Sequence, residues 1–367
     1  MGRARREIMH GVNRQPHQGR GEKHGEAEHG VNHFLFRNQV HEKSGDDKGV
    51  AAGDRQDETH LDRPSEVFLR QIRCPNHQQH RAHDRDENIM GHRPFLVLAD
   101  HLTRKGVAVL RFDKRGIGKS TGNYEQATSE DFAGDVEAAL AFLKTRKEIN
   151  SAKMGLIGHS EGGIIAPLVA VHSPGVAWIV LLAGPGLKGE DLLLLQSETM
   201  LRAADVNDGE IFRILAFNKK SYSLVREEKD PAALEAKLND LVESTSTGAS
   251  LPPNVLKSQI RVMLLPWFRS FLDYDPVPTL QKTTCPVLVL NGEKDLQVPP
   301  KENLAKIKKA LEDGGNRDFQ TTEMPGLNHL FQQAQTGSPS EYGVIEETMA
   351  PEALNSISDW IARHTSP

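Results

Sequence analysis

Cysteine and aromatic residues are scarce in this sequence of 367 residues, which has two cysteines, three tryptophans and four tyrosines. Two cysteines, Cys74 and Cys285, cannot form the disulfide framework that holds small secreted domains together. The fold must therefore rest on a buried hydrophobic core. A chain of this length can form one large domain or two smaller ones.

Long apolar runs and a strong net charge are also missing. No run approaches the roughly 20 apolar residues that cross a bilayer, and the basic start MGRARREIMHGVNRQ has no apolar stretch typical of a signal peptide. A net charge of −5 gives no general attraction to nucleic acid or to an anionic membrane. We therefore expect a cytoplasmic protein that binds a small molecule and neither nucleic acid nor membrane, with an exported form as the alternative. The sequence does not decide its oligomeric state.

The composition changes sharply near residue 84. Eleven of the 16 histidines lie in the first 92 residues, which contain no Trp and no Tyr. The apolar runs there are short, as at 34–36 and 67–69. Such a segment has little apolar surface with which to offset the entropy lost on ordering. We predict that residues 1–83 are largely disordered, with at most a weak strand around 66–73.

Helical and strand patterns alternate from residue 94 onward. The helical patterns are 94–106, 129–149 and 352–364. The runs with the length and apolar character of buried strands are 106–113, 154–160, 176–184 and 285–293, followed by a last strand at 319–324. This alternation predicts an α/β fold with a mostly parallel sheet flanked by helices.

Residues 189–275 interrupt this alternation. They contain leucine-rich helical stretches and polar breaks, and no strand pattern as clear as those on either side. We predict a helical cap inserted between two strands, with 84–188 and 276–367 forming the α/β core. A separate helical domain is the alternative, although the strand pattern resumes directly after residue 275.

The motif Gly158-His159-Ser160-Glu161-Gly162 lies between a strand pattern and a helix pattern. This Gly-x-Ser-x-Gly setting is typical of a nucleophile elbow, in which a tight turn exposes the serine. The start of the following helix directs backbone N–H groups at an oxyanion that forms beside the serine. We predict Ser160 as the nucleophile and the Glu161 N–H as an oxyanion donor. A purely structural turn is the alternative.

A serine needs a histidine base to accept its proton. Only His172, His329 and His364 follow Ser160 in the chain. His172 lies on the helix after the elbow, and His364 is close to the C-terminus, where we expect it to be solvent-exposed. His329 lies in a glycine-containing loop after the last predicted strand, so it is the predicted base.

An acid must orient that histidine, and in the order nucleophile, acid, base it precedes His329. The segment after strand 285–293 offers Glu293 and Asp295. Asp295 lies just past the strand end and before the Val-Pro-Pro that opens the next helix. We predict Asp295 as the acid, with Glu293 as the second candidate.

Together these motifs resemble the α/β-hydrolase superfamily, and more closely its bacterial serine esterases with the elbow Gly-His-Ser-Glu-Gly-Gly. The resemblance runs from about Asp84 to the C-terminus and includes the loop RFDKRGIGKSTG at 111–122. It implies an α/β-hydrolase fold and hydrolysis of carboxylic or thio esters without a cofactor. Trp267 and Phe268 are candidates for the substrate pocket. A serine aminopeptidase or an acyltransferase would use the same catalytic residues.

The resemblance begins abruptly. The family has further strands before the position of Asp84, ending in a glycine-rich loop that supplies an oxyanion N–H. Here that stretch is 79–83 and contains no glycine, so His83 holds the donor's place by position only. We hypothesise that residues 1–83 are an out-of-frame or wrongly joined segment. The chain would then lack upstream strands and be a catalytically impaired hydrolase.

Cys74, His77, His80 and His83 are spaced every third residue, which superficially suggests a zinc site. Structural zinc sites usually take paired ligands from two elements, whereas all four of these residues lie in one polar run. We therefore predict no metal site.

Overall fold

The computed structural model describes residues 83–245 and 253–365. Its central sheet has four parallel strands in sequence order: β1 (Gly155–His159), β2 (Trp178–Leu182), β3 (Val287–Gly292) and β4 (Phe319–Met324). The predicted parallel sheet is confirmed. The weak strand predicted around 66–73 lies outside the described residues.

Side chains of the two central strands alternate between two hydrophobic layers. Trp178, Val180 and Leu182 of β2 belong to one layer, and Ile179 and Leu181 belong to the other. Every residue of β2 and β3 is buried. This is the expected burial for parallel strands that are covered by helices on both faces.

Helices cover both faces of the sheet. One face is covered by α1 (Pro94–Arg104) and α11 (Pro351–Thr365), and the other by α2 (Ser129–Lys144), α3 (Gly162–His172) and α10 (Pro300–Asp313). Thr128 and Asp131 form a capping box that fixes the start of α2. Among the residues with described structure, no helix is both long enough and apolar enough to cross a membrane.

The chain between β2 and β3 is helical. The helices are α4 (Gly189–Ala203), α5 (Asp208–Glu227), α6 (Pro231–Glu243), α7 (Pro253–Met263), α8 (Pro266–Asp273) and α9 (Val277–Lys282). Side chains such as Leu192, Tyr222 and Leu272 belong to the hydrophobic cluster that includes Ile164 and Leu168 of α3. The helices therefore share a core with the sheet, and a cap at 189–275 stays our prediction for this region.

The strand predicted at 106–113 was wrong. Residues 107–114 have no regular secondary structure, and Val109, Leu110 and Phe112 are 36 to 40% exposed. A strand requires a hydrogen-bonded neighbour, and a cavity separates this segment from β1. The apolar pattern of 106–113 is typical of a buried strand, but it does not specify a neighbouring strand to which the segment could hydrogen-bond.

Candidate active site

Ser160 lies in the tight turn between β1 and α3. Its φ of +53° is in the left-handed region, which is strained for a residue with a side chain. The Ser160 N–H donates to the Leu182 carbonyl of β2 at 2.8 Å, which fixes the turn against the sheet. A Cβ on Gly158 would lie 1.9 Å from the Gly162 carbonyl oxygen, so only glycine fits there. The glycine before Ser160 is thus a steric requirement of the turn.

Asp295 and His329 form a buried pair. The Nδ1 atom of His329 lies 2.8 Å from Oδ2 of Asp295, and their side chains are 4% and 0% exposed. Because a carboxylate only accepts hydrogen bonds, Nδ1 carries the proton, and in the neutral ring Nε2 then presents a lone pair. This is the protonation pattern that a general base for a hydroxyl group needs.

The Asp295 carboxylate is held on both oxygens. Its Oδ1 accepts from the backbone N–H groups of Gln297 and Val298, each at 2.8 Å. Its Oδ2 accepts from Nδ2 of Asn291 at 3.2 Å as well as from His329. These bonds fix the direction from which the carboxylate meets the imidazole.

The loop that carries His329 is ordered by the buried amide of Asn328. The amide oxygen accepts from the N–H groups of Leu330 and Gln332 at 2.9 and 3.0 Å, and the amide nitrogen donates to Oε1 of Gln332 at 3.0 Å. Sequence reasoning missed this role. The available signal was an Asn beside a glycine-containing turn, where such side chains often bond to the backbone.

The other candidates for base and acid lie elsewhere. Glu293 accepts from the Gly326 N–H at 2.7 Å, and His172 lies 3.7 Å from Glu137. His364 stacks on Trp360 at 3.9 Å and is half-buried, so the expectation that it is solvent-exposed was wrong. Stacking on an aromatic ring accounts for its burial.

A second histidine connects the Ser160 turn to the His329 loop. His159 donates from Nε2 to the His329 carbonyl at 2.9 Å, and its Nδ1 lies 3.2 Å from the Glu87 carboxylate. The two imidazole rings are 4.7 Å apart. Burial disfavours the charged form of His159, but the charge and hydrogen bond of Glu87, the His329 carbonyl and the charge of Asp295 together raise its pKa. Sequence reasoning did not predict this pair.

The Glu161 carboxylate is held by three groups from different parts of the chain. It accepts from Lys114 Nζ at 2.9 Å, Ser129 Oγ at 2.9 Å and Trp267 Nε1 at 2.6 Å. Burial acts to raise the pKa of Glu161, but the charge of Lys114 and the hydrogen bonds from Lys114, Trp267 and Ser129 together lower it. The residue after Ser160 is therefore anchored as an ion pair at the start of α3.

The two aromatic residues predicted for the pocket face different surroundings. Trp267 stacks on Phe271 at 4.8 Å, and both residues line the cavity at Ser160. Phe268 is fully buried and packs edge-to-face on Tyr222. Adjacent helical residues point about 100° apart, so one residue faces the cavity while the next faces the core.

His83 lies at the edge of the same cavity. Its ring stacks on Tyr124 at 4.6 Å, and its carbonyl accepts from the Lys114 N–H at 3.2 Å. The structure thus places the residue next to the loop that carries Lys114. Its assignment as an oxyanion donor stays a prediction.

A cavity of about 780 Å³ adjoins Ser160. Ser160, Glu161 and Trp267 line one end, together with Leu192 and Leu193 of α4. Over 83–245 and 253–365, no group of three or more His, Cys, Asp or Glu residues could hold a metal ion. Three residues of the zinc-like run, Cys74, His77 and His80, lie outside these ranges.

Comparisons with known proteins place this site in context. Residues 93–262 match the family model Hydrolase_4, described as serine aminopeptidase, S33. Esterase EstD of Thermotoga maritima is 24% identical over 289 residues, covering 76% of this chain. The chain spans 59% of the length of that curated relative.

Solved structures were also matched. A monoacylglycerol lipase of Paleococcus ferrophilus is 20% identical with a TM-score of 0.39, over 73% of this chain and 88% of that chain. An esterase of Pyrococcus furiosus is 15% identical with a TM-score of 0.45, over 73% of this chain and 75% of that chain.

Proposed function

We propose that this chain, a member of the α/β-hydrolase superfamily, is a serine hydrolase that cleaves carboxylic or thio esters through an acyl-enzyme on Ser160. The observation that carries the proposal is the pairing of two features. Ser160 lies in a strained strand-to-helix turn, and the buried Asp295 carboxylate holds His329 by Nδ1, so that Nε2 is the nitrogen that can act as a base. A serine hydroxyl becomes an effective nucleophile only with such a base.

In the proposed first step, Ser160 Oγ attacks the carbonyl carbon of the ester while His329 Nε2 takes the hydroxyl proton. Asp295 keeps the imidazole in place and stabilises the imidazolium that forms. The tetrahedral intermediate then collapses, the C–O or C–S bond breaks, and His329 returns the proton to the departing alcohol or thiol. Water attacks the acyl-enzyme in the same way and releases the acid.

The oxyanion needs hydrogen-bond donors. Glu161 is the N-cap of α3, and the first N–H groups of a helix have no partner within the helix. We assign the Glu161 N–H as one donor. The second would come from the segment at His83, and loss of one donor costs about 2.7–4 kcal/mol of transition-state stabilisation. An acyl-enzyme that forms and turns over slowly is therefore the impaired alternative.

The test is hydrolysis of short-chain p-nitrophenyl esters by the full chain, together with covalent labelling by a fluorophosphonate. We expect both signals to be lost in Ser160→Ala and kept in Ser151→Ala, a matched change at an exposed serine. Hydrolysis and labelling that survive in Ser160→Ala would overturn the proposal. Labelling at Ser160 with little ester turnover would identify the impaired hydrolase.

A serine aminopeptidase is the second candidate, because the matching family model carries that description. Recognition of a substrate ammonium requires an available carboxylate near the site. Two acidic residues of the helical region 189–275 are already paired, Glu190 with Arg226 at 2.6 Å and Glu198 with Arg202 at 2.8 Å. We therefore expect p-nitrophenyl esters to be cleaved faster than aminoacyl p-nitroanilides. The reverse order would favour the aminopeptidase.

A further inference from the structure

His159, the last residue of β1, reaches from the turn at Ser160 to the loop that carries the proposed base. Its Nε2 atom lies 2.9 Å from the backbone carbonyl oxygen of His329, a residue 170 positions further along the chain. The His159 side chain is 6% exposed, and Phe95 and Phe331 meet its ring edge-on at 6.2 and 6.4 Å. A buried hydrogen bond therefore joins the segment of Ser160 to the segment of His329.

The two partners of His159 decide its protonation state. The His329 carbonyl can only accept a hydrogen bond, so Nε2 must carry a proton. The Glu87 carboxylate faces Nδ1 with its two oxygens 3.2 and 3.3 Å away, and it also only accepts. A neutral ring would leave a lone pair on Nδ1 against these oxygens. The geometry therefore favours an imidazolium that donates from both nitrogens, in agreement with the raised pKa of His159.

His329 has the opposite arrangement. Asp295 accepts from its Nδ1, and Nε2 is the nitrogen that acts as base in the proposed reaction. The rings of His159 and His329 lie 4.7 Å apart. An uncompensated cation at that distance would disfavour the imidazolium that forms on His329 during the reaction, because like charges repel strongly in a buried site. The Glu87 carboxylate balances the charge of His159, so this pair adds no net charge beside the base.

Two further charged groups act on the Glu87–His159 pair. The charge of Asp295 favours the charged form of His159, and the charge of Lys114 interacts with that of Glu87. A carboxylate favours a nearby imidazolium, and an ammonium favours a nearby carboxylate, so both groups keep the pair ionised. Removing either member of the pair leaves the other as a buried charge without its partner.

We propose that His159 is a positioning residue for the base, and that its imidazolium, oriented by Glu87, holds the backbone of His329 at the distance from Ser160 that proton transfer needs. This proposal rests on the proposed function, in which His329 accepts the proton of Ser160. His159 acts through His329 and not on the substrate. A displacement near 1 Å in an active site costs about a hundredfold in rate, so a bond that fixes this loop to β1 affects kcat.

The kinetic test compares His159→Gln with His159→Leu in the hydrolysis of p-nitrophenyl butyrate by the full chain. A glutamine amide can place a donor near the position of Nε2, whereas leucine fills the space without donating. We expect His159→Leu to lower kcat about tenfold or more with KM within about twofold of the wild type, and His159→Gln to recover part of the loss. A packing role predicts the reverse order, because leucine is buried at lower cost than glutamine.

Glu87→Gln tests whether Glu87 acts through His159. Alone it should lower kcat, and in the His159→Leu background it should add little, because residues that act as a unit are not additive. Additive losses would overturn the role given to Glu87. The matched control is His101→Leu, which removes a histidine that hydrogen-bonds to Ser358 at 3.1 Å. An equal loss of kcat in this control would overturn the proposal in favour of general destabilisation, and circular dichroism shows whether each variant keeps its helices.

Nitrogen-15 NMR of the histidine rings gives a readout that does not need activity. We expect the pKa of His159 to lie above the ordinary value of about 6.5 and to be lower in Glu87→Gln. A pKa at or below the ordinary value in the wild type would overturn the charged state proposed for His159.

Fluorophosphonate labelling of Ser160 separates failure of this proposal from failure of the proposed function. If ester turnover is slow, the rate of labelling replaces kcat in the comparisons above. A wild type that neither hydrolyses esters nor labels would overturn the proposed function and this role with it. A wild type that labels or hydrolyses, at a rate unchanged in both His159 variants, would overturn the positioning role alone.

Discussion

The central and the edge strands of the sheet differ in how completely they are enclosed. β2 and β3 have a strand on each side, and all of their residues are buried. β1 has a described strand on one side only, and one of its five residues is buried. The proposed acid follows the enclosed strand β3, whereas the proposed nucleophile and base follow the edge strands β1 and β4, each of which has one buried residue. The catalytic residues we propose thus depend on two differently supported regions.

The proposed catalytic residues differ in which parts of the chain hold them in place. Asp295 and His329 are held by Asn291, Asn328 and the backbone of 297–298, all of which lie in β3 or in the segments that directly follow β3 and β4. The turn at Ser160 depends on the lack of a side chain at Gly158 and on contacts between its flanking residues and residues that precede β1. We therefore expect mutations to displace the Asp295–His329 pair less readily than the turn at Ser160.

The largest expected effect is that of Gly158→Ala. The added Cβ would lie 1.9 Å from the Gly162 carbonyl oxygen and 2.3 Å from its carbon, so the backbone of the turn must move. We expect ester hydrolysis to fall more than about a hundredfold, because a displacement near 1 Å has that effect. The control is Gly162→Ala, whose Cβ has no atom within 4 Å. Equal activity in the two variants would contradict the steric argument.

Core truncations compare a central strand with an edge strand directly. Leu290→Ala in β3 removes a fully buried side chain and should lower the free energy of unfolding by about 2–5 kcal/mol. Leu156→Ala in β1 removes a partly buried side chain beside the cavity and should cost about 1 kcal/mol. Urea denaturation measures both. Equal losses would mean that β1 is packed as tightly as β3.

The ion pair at the elbow gives a smaller effect. Lys114→Met leaves the Glu161 carboxylate uncompensated beside the site where an oxyanion would form. We expect kcat for ester hydrolysis to fall about tenfold or more, since like charges repel strongly in a partly buried site. Glu161→Gln in the same chain should restore part of the loss. No recovery in the double variant would show that Lys114 acts by packing alone, for example on Phe132.

The smallest expected effect is the pH dependence contributed by His159. Its pKa is raised in the folded chain, so its charged form stabilises the fold below the unfolded value of about 6.5. That stabilisation is lost as the pH rises through the raised pKa. The free energy of unfolding of the wild type should exceed that of His159→Gln by the largest amount below about pH 6.5, and this excess should shrink as the pH rises through the raised pKa of His159. A difference that grows with rising pH would contradict the assignment.

Much of the fold could be predicted from local patterns. The apolar runs predicted β1 to β4 to within about two residues at each end, and the glycine motif placed Ser160 at a strand-to-helix turn. Those signals are local, because side-chain periodicity and backbone sterics depend on neighbouring residues. The prediction of a strand at 106–113 was wrong because a strand also needs a hydrogen-bonded neighbour, which is a non-local requirement that the segment's own pattern does not specify.

Parts of the site could not be predicted because they depend on contacts across the chain. The Glu87–His159 pair joins residues 72 positions apart, and Glu161 meets Trp267 across 106 positions. Nothing in the local sequence of Glu87 or Lys114 marks either residue for such a role. Phe268 was grouped with Trp267 by its aromatic character, whereas the rotation of α8 directs it into the core.

The sequence by itself determined the alternation of strands and helices, the steric need for glycine before Ser160, and the order in which Ser160, Asp295 and His329 occur. These follow from periodicity and backbone conformation, which act over a few residues. Only the tertiary structure decided that His329 pairs with Asp295 and not Glu293, and that the residues of β1 line a cavity. Those outcomes depend on how distant segments pack, because hydrogen bonding and burial are set by whichever groups the fold brings together.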